Sequence, residues 1–152
     1  MKIKYRKIEE FDDCIRVCAD DKLKKINVKT IPYPGFPTDL QPQIVALLST
    51  IEGKSIVTEG VWDSRFQYIN ELVKFGVDIE ISGRQAIING GTPLKSCEVQ
   101  ATDLRAGASM IIAALACNGT TKISNLRYID RGYENLVEKL KMLGADIDRI
   151  DE

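Results

Sequence analysis

The sequence predicts an α/β fold assembled from a repeated unit in which helices pack on a sheet. Three recurrences support this. Thr38-Asp39-Leu40-Gln41 returns as Thr102-Asp103-Leu104-Arg105, and each copy leads into an apolar helical run. Gly53 and Gly119 each open a short β-rich run, Lys54 to Thr58 and Thr120 to Ser124. Two amphipathic helices then end alike, in Leu72-x-x-Phe75-Gly76-Val77-Asp78-Ile79 and Leu140-x-x-Leu143-Gly144-Ala145-Asp146-Ile147. The offset is 64 residues at Thr38 and 68 at Gly76, so short insertions account for the drift. The unit is duplicated.

The elements follow in order. Residues 1–30 read as the tail of a preceding unit: Ile3 and Tyr5 alternate with charges, Cys14 to Ala19 alternates again, and Ile26 to Val28 forms a strand. Residues 31–95 form one unit and 96–152 another. In the first, Thr38 or Asp39 is placed to cap a helix from Leu40, with Pro42 in the first turn, where its missing N–H does no harm. A second helix, Phe66 to Phe75, stops at Gly76. Strands Val77 to Ser82 and Gln85 to Asn89 turn around Gly83, and Glu98 to Ala101 leads into the next unit's helix.

Composition excludes several chemistries. The 152 residues suit one domain with a real core. There is no histidine, so Ser-His-Asp and Cys-His pairs, zinc-protease motifs and histidine metal ligands are ruled out. A net charge of −1 argues against nucleic acid as partner. The apolar run from Ala106 to Cys117 is too short to span a bilayer, and the charged N-terminal stretch has no signal-like core, which points to the cytoplasm and no membrane contact. Cys14, Cys18, Cys97 and Cys117 form no C-x-x-C pair and read as reduced, mostly buried small side chains; no metal or cofactor is expected.

Two features can carry chemistry. Prolines 32, 34 and 37 stiffen the loop that presents Asp39 at a helix start. The default job for Asp39 is capping, because Asp103 stands at the equivalent place. Arg65, Arg105 and Arg131 lie beside predicted helix starts, where guanidinium groups suit phosphates and carboxylates. Asp63, Asp103 and Asp130 are near enough in sequence to neutralise them instead.

The segments PGFPTDLQPQ (34–43), DSRF (63–66), ATDLRAGAS (101–109) and IDRGYENLVEKLKMLGADI (129–147) resemble the enolpyruvyl transferases, and specifically UDP-N-acetylglucosamine 1-carboxyvinyltransferases. The likeness runs over essentially the whole chain. It implies an inside-out domain of βαβαββ units about a pseudo-threefold axis, of which this chain holds about two full units and part of a third. It also implies an active site between two domains. The implied reaction moves the enolpyruvyl group of phosphoenolpyruvate to the 3′-hydroxyl of UDP-N-acetylglucosamine, the committed step of peptidoglycan synthesis, on which cell shape and division depend. Asp39 matches the aspartate proposed as base for that hydroxyl. Arg65, Arg105 and Arg131 match arginines around the phosphoenolpyruvate anions, and Val61 matches a position whose backbone contacts the UDP-sugar.

The family's Lys-Asn pair and mobile loop Cys have no counterpart here. The resemblance therefore implies that the chain is part of the C-terminal domain, with the N-terminal domain as its partner. Alone it is expected to be inactive, and its unpaired sheet edge favours self-association. Three alternatives compete: a non-catalytic ligand-binding fragment, a 5-enolpyruvylshikimate-3-phosphate synthase-like transferase, and RNA 3′-phosphate cyclase. The lack of histidine weighs against the last.

Overall fold

Apolar residues alternate along the first unit's strands, and this alternation places one face of a sheet against helices. The computed structural model describes residues 7–18 and 22–150. Strands β1 (Lys7–Glu10) and β2 (Ile15–Cys18) form an antiparallel hairpin. Next come β3 (Asn27–Lys29), a 3-10 turn at Thr38–Leu40, helix α1 (Gln41–Ser49) and β4 (Gly53–Thr58). Helix α2 (Ile69–Leu72) runs into a 3-10 turn at Val73–Phe75, and β5 (Asp78–Ser82) and β6 (Gln85–Gly90) close the unit. Their sheet has the order β3-β4-β6-β5, with β3 and β4 parallel and the other pairs antiparallel.

The second unit repeats the opening of the first. It has β7 (Glu98–Gln100), α3 (Leu104–Leu115), β8 (Lys122–Ser124), α4 (Arg127–Asp130) and α5 (Leu136–Met142). Strands β7 and β8 pair in parallel, as β3 and β4 do. After Gly144 the chain runs without regular structure to residue 150, so the described residues include no closing hairpin in this unit.

Helices α1 and α3 lie on the inner side of the sheets, while α5 buries no residue. Helix α1 rests on β4 and β6 and packs against α3, which covers β7. Val28, Val57, Ala86 and Ile88 from the sheet meet Val45 and Leu48 of α1, Leu72 of α2 and Phe75 just beyond it, and Met110 and Ala113 of α3 in one core. Lys54, Gln85, Asn89 and Asp78 occupy the solvent face. Burying such a Leu or Phe contributes about 1.5–3 kcal/mol. Among the described residues no helix is long and apolar enough to cross a membrane.

Most predicted elements are present with shifted ends. The second helix of the first unit begins at Ile69, not Phe66, because residues 65–68 form turns that bury Tyr68. It stops where expected: Gly76 takes φ +83°, a left-handed conformation that glycine adopts without a side-chain clash. Strand β8 starts two residues after Thr120. Ile3, Tyr5 and Ala19 lie outside the described residues. The cysteines correct the expectation of burial. All four are free; Cys14 is exposed in the β1–β2 loop, and Cys18, Cys97 and Cys117 are half-buried. Cys14 and Cys18 belong to the exposed β1–β2 hairpin, whereas Cys97, just before β7, and Cys117, just after α3, pack at the edge of the core.

Candidate active site

The aspartate in the Pro-rich loop does not cap its helix. Neither the 3-10 turn at Thr38–Leu40 nor α1 has a side-chain cap bond. Asp39 Oδ2 instead accepts a hydrogen bond from Arg105 Nη2 at 2.7 Å, and Oδ1 accepts one from Arg65 Nη2 at 3.1 Å. The equivalent Asp103 does cap: its Oδ1 accepts from the backbone N–H of Arg105 at 2.8 Å and of Ala106 at 2.9 Å. A cap on the same plan at Asp39 would need the N–H groups of residues 41 and 42. Gln41 N–H is already bonded to Thr38 O, and Pro42 has none. Asp39 is thereby left to face solvent and the two guanidinium groups.

The cluster spans both units. Asp39 and Arg65 come from the first, and Arg105, in the first turn of α3, comes from the second. Asp39 is 56% exposed, Arg105 37% and Arg65 only 20%, so the carboxylate is open to a ligand while Arg65 is held by its surroundings. The hydrogen bond from Arg105 chiefly keeps the Asp39 carboxyl below its ordinary range; partial burial opposes this, and the charges of Arg105 and Arg65 reinforce it. The same bond raises Arg105 further. A shallow cavity of about 210 Å³ opens beside the cluster, lined by Trp62, Ser64, Arg65, Gln67 and Asp103.

The remaining arginine is placed differently. Arg131 directly follows α4, at its C-terminal end rather than at a helix start, and its guanidinium makes no ion pair among the described residues. Its neighbour Gly132 lies against Leu104, where an added Cβ would come within 2.7 Å of Leu104 Cδ2. Arg131 thus sits at the end of the molecule where α3 begins, exposed and outside the Asp39 cluster. The acids expected to neutralise the arginines have other partners. Asp63 pairs with Arg84, Asp103 takes backbone N–H groups, and Asp130 takes a two-point bond from Arg149 at 2.9 Å.

Sequence reasoning passed over Glu59 and Gln41. Glu59 is buried at the end of β4 and accepts from the N–H groups of Val61 and Trp62. Val61 itself is partly exposed, on the turn next to the cavity. Gln41, where the second unit has Arg105, is fully buried and its Oε1 accepts from Tyr68 Oη at 2.9 Å. Burial pushes the Tyr68 hydroxyl well above its ordinary value, so it stays a donor. The signal for Glu59 was present: an acid ending a β-run, directly before a glycine. Among the described residues no group of acids and cysteines is arranged to hold a metal ion.

The model of the family described as EPSP synthase (3-phosphoshikimate 1-carboxyvinyltransferase) matches residues 2–140. The chain belongs to this family. Within this EPSP synthase family it is 49% identical, over 95% of its length, to UDP-N-acetylglucosamine 1-carboxyvinyltransferase 3 of Caldanaerobacter subterraneus subsp. tengcongensis, of which it covers 35%. It is 49% identical to the enzyme of that name from Desulfofundulus thermocisternus, covering 58% of it. The enolpyruvyl transferase NikO from Streptomyces tendae superposes with a TM-score of 0.83 at 31% identity, over 93% of this chain and 33% of that one. EPSP synthase from Acinetobacter baumannii shares the fold, with a TM-score of 0.72 at 19% identity. The chain spans about a third of the length of the Caldanaerobacter relative.

Proposed function

We propose that this chain is part of a UDP-N-acetylglucosamine 1-carboxyvinyltransferase and supplies one wall of its active site. The observation that carries the reading is the exposed Asp39 carboxylate held between Arg65 and Arg105, in a chain about half identical to relatives bearing that name. The reaction moves the enolpyruvyl group of phosphoenolpyruvate to the sugar 3′-hydroxyl and releases phosphate through a tetrahedral intermediate. Asp39 accepts the hydroxyl proton. Arg65 and Arg105 bind the phosphate and carboxylate, joined by Arg131 from the end of α4, and the Val61 backbone contacts the UDP-sugar. The work takes place in the cytoplasm and feeds peptidoglycan synthesis, with the N-terminal domain as the other wall.

The ligand-free pairing has a chemical consequence. A carboxylate held by two guanidinium groups is a weak base. Substrate anions compete for Arg105 and Arg65, draw them from Asp39, and restore its basicity when the hydroxyl is in place. No metal is required by this scheme.

The test is to combine the chain with the N-terminal region and measure phosphate release. Activity that requires UDP-N-acetylglucosamine, and that shikimate 3-phosphate does not elicit, supports the reading. The reverse preference overturns it in favour of the shikimate enzyme. The chain alone is expected to release no phosphate.

A further inference from the structure

We infer that Glu59 is a positioning residue that clasps the Pro-rich loop to the turn after β4, and thereby sets Asp39 and Arg65 in register. Its importance for turnover rests on the reading of Asp39 given above. The clasp itself rests on geometry alone.

Glu59 is 1% exposed and uses both carboxylate oxygens. Its Oε1 accepts from Thr30 Oγ1 at 2.7 Å, Val61 N at 2.8 Å and Trp62 N at 3.1 Å, while Oε2 accepts from Thr38 Oγ1 at 3.0 Å. Thr30 and Thr38 are the two ends of the Pro-rich loop, and Thr38 is bonded directly to Asp39 in sequence. The 59–62 turn leads to Arg65 three residues later. One buried side chain therefore ties together the segments that carry both partners of the pair.

The local backbone is built for this closeness. Gly60 N–H donates to Thr30 Oγ1 at 2.9 Å, and a Cβ on Gly60 would sit 2.2 Å from Thr30 O. Only glycine lets the two chains approach this far. Glu59 N–H donates to Arg84 O, and Ile31 N–H closes the loop on Phe36 O.

A buried charge is costly, and no cation pairs with Glu59 among the described residues. Burial opposes its ionisation most, yet the bonds from Thr30, Val61, Trp62 and Thr38 together hold it below the ordinary range, so it stays charged. Both of its oxygens are buried and already accept hydrogen bonds from the protein, so it is placed to hold the backbone rather than to meet a substrate. That separates positioning from proton transfer.

The test reads Asp39 directly, by ¹³C-carboxyl NMR titration of this chain. In Glu59→Ala, Asp39 is expected to leave Arg105 and Arg65, the two charged groups that face it, and to titrate upward toward the ordinary carboxylate range. Thr38→Val should show part of that shift. Ile88→Val, a core change away from the clasp, should show none. In the assembled enzyme Glu59→Ala should lower kcat by about 10²-fold, the scale of an ångström-sized misplacement. Glu59→Gln should recover much of it, because its amide oxygen can still take three donors. Unchanged Asp39 titration in Thr38→Val and in folded Glu59→Ala overturns the proposal. If Glu59→Ala fails to fold, an unchanged Thr38→Val is sufficient to overturn it. A shifted titration with unaltered turnover supports the clasp and counts against the assigned role of Asp39.

Discussion

Two copies of the same three residues do different work in this molecule. Thr102-Asp103-Leu104 starts α3 as a capped helix, with Asp103 satisfying two backbone N–H groups. Thr38-Asp39-Leu40 forms a 3-10 turn without a cap, and Asp39 pairs with two arginines. The difference arises three residues after each aspartate, where one copy has Ala106 and the other Pro42. A missing N–H in one unit turns a structural carboxylate into an available one. The following pair diverged in the same sense: Gln41 is buried against Tyr68, and Arg105 reaches across to Asp39. The site is thus made at the seam between units by letting each unit depart from its repeat.

The sharpest way to break this comparison is to remove each aspartate. In the assembled enzyme Asp39→Ala should reduce turnover by about 10²-fold or more, as for a positioned acid–base group. Near-normal kinetics would reject its role. The stability readout should have the opposite order. Asp103→Ala should cost about 1 kcal/mol in a denaturant melt, the typical value of an N-cap. Asp39→Ala should change stability less, because exposed ion pairs contribute little.

A second test uses pH. The folded-state pKa of Asp39 is depressed, so the stability it contributes is present above the ordinary carboxylate range and is lost as pH falls through the folded value. Arg105→Gln removes the largest cause and should move the Asp39 titration upward, with a smaller effect from Arg65→Gln. Equal titration in wild type and Arg105→Gln would mean the pairing is absent in solution.

The smallest expected effect concerns Pro42. Pro42→Ala restores a backbone N–H in the first turn of α1. In that background Asp39→Ala should become destabilising by about 0.5–1 kcal/mol, the low end for a cap. Thermal melts of the four variants in this cycle would show the coupling; strict additivity would mean that the proline is not what frees Asp39.

Much of the fold was legible. The duplicated unit, the stop at Gly76 and the β5–β6 hairpin follow from glycine placement and apolar alternation, which act over a few residues. The site was legible only in part. Asp39, Arg65 and Arg105 were singled out, but the acids nearest the arginines in sequence were the wrong partners. Asp63 goes to Arg84 and Asp130 to Arg149, because sheet register and the chain's return after α5 decide which side chains meet. Arg131 was placed at a helix start and lies at a helix end. The sequence marks Glu59 only as an acid ending a β-run before a glycine; its role was missed because its four donors come from three segments that no linear pattern groups together.

The sequence by itself determined the repeated α/β unit, the family, and the absence of histidine chemistry, since these depend on residue identity and short-range periodicity. Pro42, also visible there, removes one of the two N–H groups that a cap at Asp39 would use; the other is taken by Thr38 O in the folded chain. Only the tertiary structure decided what Asp39 does instead. Arg105 lies 66 residues away, and the packing of α1 against α3 brings its guanidinium to that carboxylate. Such a contact is set by where two helices cross, a property of the assembled core that neither segment carries alone.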